Sequence, residues 1–322
     1  MYSTNKTNIT RDDGTQVEAL APVILSASIV TDIPAYHSDW LIKRINAGYA
    51  RRMNVFSHKD VFVSFRDARL VVFWTKNASP ILWKLHELDR RSLGYFFHFT
   101  LNNYELEGLE TGLPPLEKRI ATFKELSRKI GKEKVIWRFD PLILTEHISS
   151  ERLVEKVEGV AQQLAGYTEK LVFKFAKIER HRKVARRMTL EDWKYRDFSG
   201  DDVGFMARQL SEIGRRYGIE VKSCADNHDL SPYGIGHNRC VDSELIKRLF
   251  SHDPALMRFV DDCGKQKIQP HRKFCRCLPY TDIGEYNTCL HFCRYCYANL
   301  SDKLIKGVFE SRLSGCGESM LK

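Results

Sequence analysis

The chain has 322 residues, 51 Lys and Arg against 41 Asp and Glu for a formal net charge of +10, and nine cysteines. Its 43 % hydrophobic and 29 % charged content is that of a globular chain rather than a disordered one, and no apolar run approaches the ~18 residues of a membrane span. The polar stretch Met1–Leu20 lacks the apolar core and cleavage site of a signal peptide, which points to the reducing cytoplasm, where cysteines need a purpose other than disulfides.

Residues 1–20 show no periodic apolar pattern and are expected to form a disordered leader. From Val23 onward, short β-branched or aromatic runs alternate with amphipathic stretches. Val23–Ser28, Leu70–Thr75, Tyr95–Leu101, Lys134–Phe139, Leu171–Ala176 and Ile219–Cys224 are predicted strands. Ser79 with Pro80 starts one helix. Leu116, Ile120, Phe123, Leu126 and Ile130, closed by Gly131, mark a second. Leu153, Val157, Val160 and Leu164 mark a third, and Val203, Met206, Leu210, Ile213 and Tyr217 before Gly218 a fourth. This alternation implies parallel strands with right-handed crossovers. The expected fold is α/β, a full or partial TIM-type (β/α) barrel over residues 21–262 with a cysteine-rich, iron–sulfur-binding segment over 263–322 packed on it.

In such folds chemistry sits in the loops after the C-terminal strand ends. Those ends carry Ser26, Ser28, Thr31 and Asp32, then Thr75, Lys76 and Asn77, then Thr100 and Asn102, then Arg138 and Asp140, and Cys224 with Asp226. Asp32 either caps its Thr-Asp-Ile-Pro turn or faces a pocket. Lys76 either holds an anion or pairs with a neighbouring strand. Arg138 and Asp140 either form a structural ion pair or clamp a substrate. His228 and His237 are expected to be loop residues, and Trp74, Trp137 and Phe175 to be core. No glycine-rich phosphate loop is present.

Most of the charge excess is local. Lys170 to Arg187 holds eight basic residues and one acid, Glu179. A local excess suggests an anion near one face; a solvated basic surface is the plainer alternative.

The strongest signal is Cys289-Leu-His-Phe-Cys293-Arg-Tyr-Cys296, a spacing with a chance probability below ~1 %. Three thiolates on one tight loop suit three corners of a four-iron four-sulfur cube whose fourth iron stays open. With Tyr295 before the last cysteine, the motif resembles that of radical S-adenosylmethionine (SAM) enzymes. The resemblance implies a barrel and a cluster whose open iron chelates the methionine part of SAM. It further implies reductive cleavage to methionine and a 5′-deoxyadenosyl radical, with an electron donor such as a flavodoxin or ferredoxin. In that superfamily the motif normally follows the first strand, whereas here it stands near the C-terminus.

A closer resemblance covers about Ile24 to Asn299. The runs at 26–34, 72–77, 135–141, 230–235, 282–289 and 295–299 resemble a bacterial family of unknown function, number 1848, whose C-terminal cysteines are likened to the radical SAM cluster site. In that family's pattern a basic pair stands where this chain has Ile29 and Val30, and a glycine where it has Phe292.

Cys224, Cys240, Cys275 and Cys277 form a second constellation, suited to another iron–sulfur cluster or to zinc, or else a set of reduced structural thiols. Cys263 and Cys316 fit neither group. The sequence reading is therefore a radical SAM-like enzyme with cluster ligands Cys289, Cys293 and Cys296. Asp32, Lys76, Arg138 and Asp140 would hold SAM or substrate, and Ser26, Ser28, Thr75, Asn77 and Tyr295 would line the cofactor. An anionic substrate, nucleic acid included, would meet the basic segment. The alternative is a non-enzymatic zinc or iron–sulfur protein that binds nucleic acid through that segment.

Overall fold

The computed structural model describes residues 4–55, 57–264, 275–310 and 317–321. Its strands, in chain order, are β1 (Asn5–Thr10), β2 (Gln16–Ala21), β3 (Ile24–Ala27), β4 (Tyr49–Met53), β5 (Asp60–Ser64), β6 (Leu70–Thr75), β7 (Gly94–Thr100), β8 (Val135–Leu142), β9 (Leu144–Thr145), β10 (Lys170–Phe175), β11 (Tyr195–Arg196), β12 (Glu220–Ser223), β13 (Gly236–His237) and β14 (Thr281–Asp282). Eight build one sheet in the order β13-β12-β10-β8-β7-β6-β3-β14, and each neighbouring pair in it is parallel. The six strands expected from the sequence are all in this sheet.

One expectation, a full or partial barrel, is narrowed, and two others are corrected. The barrel does not close: β13 and β14 are the sheet's edges and do not pair with each other among the described residues, so the fold is mixed α/β with a large open parallel sheet. The C-terminal segment is not merely packed on that sheet, because β14 pairs with β3 through Thr281↔Leu25 and Asp282↔Ser26. Both added strands are only two residues long, too short for a period-two pattern to register. Lastly, the supposed leader holds an antiparallel hairpin in which β1 and β2 pair from Asn5↔Ala21 to Thr10↔Gln16. This hairpin joins β5 and β4 in a four-stranded sheet. Only Ala19 and Ala21 of its residues are buried, so it lacks the apolar signal of a core strand. Residues near the C-terminus return to it, where Glu318 pairs with Arg11 at 2.9 Å.

Period-two alternation gives the large sheet two apolar faces. Leu25, Val71, Phe73, Phe97, Phe99, Trp137, Phe139 and Phe173 point to one core, which takes in the inner stripes of the helices Leu116–Ile130, Ser150–Leu164 and Gly200–Tyr217. Phe123 and Leu126 of the first helix are fully buried, a stabilisation of about 2 kcal/mol each. Gly218 ends the last of these helices at φ 65°, a left-handed cap that favours glycine. Ile24, Leu70, Val72, Phe96, Ile136 and Val172 form the other core, with helices Ser243–Phe250 and Pro254–Gly264. Trp137 and Phe175 are core residues as expected. Trp74 stacks on His98 with ring centroids 5.0 Å apart. Among the described residues no helix is long and apolar enough to cross a membrane.

Candidate functional site

The loops leaving β3, β6 and β7 place Asp32, Lys76 and Asn102 at one end of the sheet. The cysteine loop leaves β14 at that same end, since β14 runs parallel to β3. Parallel pairing thus brings the last strand's loop beside the first strand's loop, although 250 residues of chain separate them.

Asp32 is the first anchor. Its Oδ1 accepts from Ala35 N at 3.1 Å and Thr75 Oγ1 at 2.8 Å, and its Oδ2 from Lys76 N at 2.7 Å. The same Oδ2 lies 2.7 Å from His291 Nε2, and Tyr36 Oη lies 3.0 Å from the other ring nitrogen. Asp32 therefore caps its turn and also fixes a histidine inside the cysteine motif. Thr31 Oγ1 donates to Thr288 O at 3.0 Å and ties the root of the loop to β3.

The second anchor is a buried charge cluster. Lys76 Nζ donates to Glu110 Oε1 at 2.7 Å and to Tyr295 Oη at 3.0 Å. Asn102 Nδ2 donates to both of those oxygens at 3.0 Å, Tyr295 Oη donates to Glu110, and Arg119 Nη1 stands 3.8 Å from Glu110 Oε2. Burial alone would push the Glu110 carboxyl up, but the charges of Lys76 and Arg119 outweigh it and hold the group below its usual range. Burial likewise opposes the charge on Lys76, and the nearby Glu110 more than restores it.

The backbone around Glu110 pairs with the motif itself. Glu110 bridges Cys293 in antiparallel fashion, Arg294 N donates to Leu109 O at 2.9 Å, and Gly112 N to His291 O at 3.0 Å. A Cβ on Gly112 would stand 2.1 Å from the Leu290 carbonyl oxygen and 2.9 Å from the His291 carbonyl carbon. Gly112→Ala is therefore expected to push the two segments apart at a cost of about 1–3 kcal/mol, read as a lower urea midpoint. Phe292 lies at φ 49°, a region that glycine enters without a Cβ penalty.

A third anchor comes from the basic segment. Arg187 donates to Arg294 O at 3.3 Å, Cys296 O at 3.1 Å and Leu300 O at 3.4 Å, and also to Asn299 O. Arg187→Ala is expected to strip these carbonyls of their donor and lower stability by about 1–3 kcal/mol, seen as earlier thermal unfolding. Arg180, Arg182, Lys183 and Arg186 of the same segment are exposed, and His181 stacks on Tyr297 at 5.4 Å between centroids. Lys170 stands apart, paired with Glu220 and Asp242.

Cys289 and Cys293 are buried and Cys296 is half-buried. Burial pushes all three thiols up, while Lys76 pulls Cys293 down and Arg187 and Lys76 pull Cys296 down. The thiols thus keep their protons until a cation displaces them, and two basic side chains face the charge that would result. Among the described residues no three His, Cys, Asp or Glu side chains converge closely enough for one metal ion. Three thiols on one loop, with Lys76 and Arg187 near them, are the kind of soft donor set that an iron–sulfur cluster or another thiophilic metal takes.

The other candidate residues make internal contacts. Ser26 donates to Asp282 Oδ1 at 2.7 Å, and Ser28 Oγ accepts from Ile33 N at 2.9 Å. Thr75 serves Asp32, and Asn77 Oδ1 accepts from Ser79 N at 3.1 Å. Arg138 pairs with Asp140 and also donates to Cys240 Sγ at 3.3 Å, so it stands with the second set of cysteines. His228 is held by Asp226 at 2.6 Å, and Cys263 lies in the apolar core. Cys316 lies outside the described residues. A cavity of about 640 Å³ lies elsewhere, lined by Glu133, Lys170, Glu220, Lys222, Asp242 and Arg248.

Glu110, Arg119 and His291 were not singled out by the sequence. Glu110 is one of several glutamates in a loop, and only its pairing with the motif distinguishes it. His291 sits inside the motif and was the more accessible signal.

The family described as a domain of unknown function (DUF1848) matches residues 24–298, and the chain belongs to it. No curated protein matches. A solved structure from Bacteroides thetaiotaomicron VPI-5482, described as a "putative alpha-L-fucosidase", is similar at 7 % identity over 76 % of this chain and 84 % of the other, with a TM-score of 0.28.

Proposed function

We propose that this protein is a radical SAM-like iron–sulfur enzyme with cluster ligands Cys289, Cys293 and Cys296. The observation that carries the reading is the buried three-thiol loop, secured to the ends of β3, β6 and β7 and faced by Lys76 and Arg187. When bound, a four-iron four-sulfur cluster with SAM supplies reductive cleavage of the sulfonium and a radical that takes a hydrogen from substrate. The chain's own residues position that chemistry. Asp32 orients His291, the Lys76–Glu110–Tyr295 cluster fixes the loop between its second and third cysteines, and Arg187 gathers the carbonyls after the third. Burial of Cys289 and Cys293 limits water at those two thiols.

The exposed Arg180, Arg182, Lys183 and Arg186 of the basic segment favour an anionic substrate. A flavodoxin or ferredoxin would deliver the electron, and a cytoplasmic setting would keep the thiols reduced.

Anaerobic reconstitution with iron and sulfide tests the cofactor. The expected product is a brown protein with iron and acid-labile sulfide in equal amounts which, once reduced by one electron with dithionite, gives an electron paramagnetic resonance signal that shifts when SAM is added. A colourless protein with stoichiometric zinc, and nucleic-acid affinity falling steeply with salt, would instead establish a non-enzymatic nucleic-acid-binding protein.

A further inference from the structure

A second group of thiols lies on the other face of the sheet, among Val72, Trp74, Val172, Val241 and Tyr280. Cys224 follows β12, Cys240 follows β13, and Cys275 and Cys277 precede β14, so three separate segments supply them. Cys224 Sγ and Cys240 Sγ are 3.5 Å apart. Cys240 N and Val241 N both point at Cys277 Sγ, at 3.1 and 3.5 Å, and Cys275 stands two residues before Cys277 on the same segment. These contacts link Cys224, Cys240 and Cys277, although among the described residues no three donors converge on a single point.

The groups around the set are donors. Arg138 Nη1 is 3.3 Å and Asn238 Nδ2 3.4 Å from Cys240 Sγ. A neutral thiol is a weak acceptor and gains little from a guanidinium and two backbone N–H groups. A metal-bound thiolate gains a good deal, and such N–H···S contacts are the outer shell that tunes thiolate-ligated centres. Arg138 is 4 % exposed in the middle of a strand, and a buried cation there is costly unless negative charge faces it. Asp140 supplies one such charge; an anionic sulfur at Cys240 supplies a second.

We propose that Cys224, Cys240, Cys275 and Cys277 hold a second, soft-metal centre, thiolate-ligated iron–sulfur or zinc, with Arg138 and Asn238 as its hydrogen-bonding partners. The centre is separate from the loop of Cys289, Cys293 and Cys296 and does not depend on radical chemistry there.

The test uses the full chain carrying Cys289→Ala, Cys293→Ala and Cys296→Ala, which removes the first site. Iron, sulfide and zinc are measured after anaerobic purification and again after supplying zinc alone, or iron with sulfide. Retention of stoichiometric zinc identifies a zinc centre. Retention of iron with matching sulfide identifies a cluster. Either must be lost when Cys277→Ser and Cys224→Ser are added, and each single substitution is to be measured as well in case the pair impairs folding. A triple variant with native circular dichroism that binds neither metal overturns the proposal. So does metal that survives the added substitutions, or a Cys224–Cys240 disulfide in place of metal. Failure of SAM chemistry in the wild type leaves this result untouched.

Discussion

Glu110→Ala is expected to destabilise the protein by about 3–5 kcal/mol, the penalty for breaking a buried pair and leaving its cations unmatched. The side chain is 1 % exposed, with Lys76 at 2.7 Å and Arg119 at 3.8 Å. Alanine would leave Lys76 with the Tyr295 hydroxyl and Arg119 with the carbonyls of Pro114 and Asn102 as their remaining partners. It would also remove an acceptor shared by Lys76, Asn102 and Tyr295. Glu110→Gln keeps the shape and loses the charge, so its cost should be smaller. Urea unfolding of both variants measures this, and equal stability of Glu110→Ala and wild type would refute the role given to the cluster.

The second large effect is chemical. Cys293→Ala should abolish the reconstituted cluster while costing little stability, since a small buried thiol is exchanged for a methyl group. Cys263→Ala is the matched control. That cysteine is also buried, at 1 % exposed, but it packs among Leu256, Phe259 and Val260 on the other face, so iron content should be unchanged. Equal iron in Cys293→Ala and wild type would remove Cys293 from the ligand set.

The six expected strands and all four expected helices were legible, because burial on both faces writes near-continuous apolar runs, three of the helices leave a 3.6-residue stripe and the short Ser79–Leu82 helix announces itself by its Ser-Pro start. Whether the sheet closed was not legible. Closure depends on the neighbours of β13 and β14, which have two residues each and form little pattern of their own. The hairpin of β1 and β2 escaped because a strand with one mostly exposed face resembles a polar leader.

At the site, the cysteine spacing carried most of the information. Glu110 and Arg119 did not show, because they owe their role to which loops lie side by side; Asn102 and Arg187 were marked only as a strand-end residue and as part of a basic segment. Asp32 and Lys76 were found by a general rule about strand ends, and both contact the motif. The same rule selected Ser26, Ser28, Thr75 and Asn77, whose partners lie within the β3 and β6 turns and β14. Arg138 and Asp140 were expected at a strand end, but β8 runs on to Leu142 and its alternation turns Arg138 to the second thiol group.

The measurement that bears most directly on the central claim is an anaerobic assay for 5′-deoxyadenosine. The reconstituted protein is mixed with SAM and a strong reductant and the products are separated. 5′-Deoxyadenosine and methionine are expected to form in equal amounts, and neither should form with the variant lacking Cys289, Cys293 and Cys296. A fully loaded cluster that leaves SAM intact under every reductant would contradict the account.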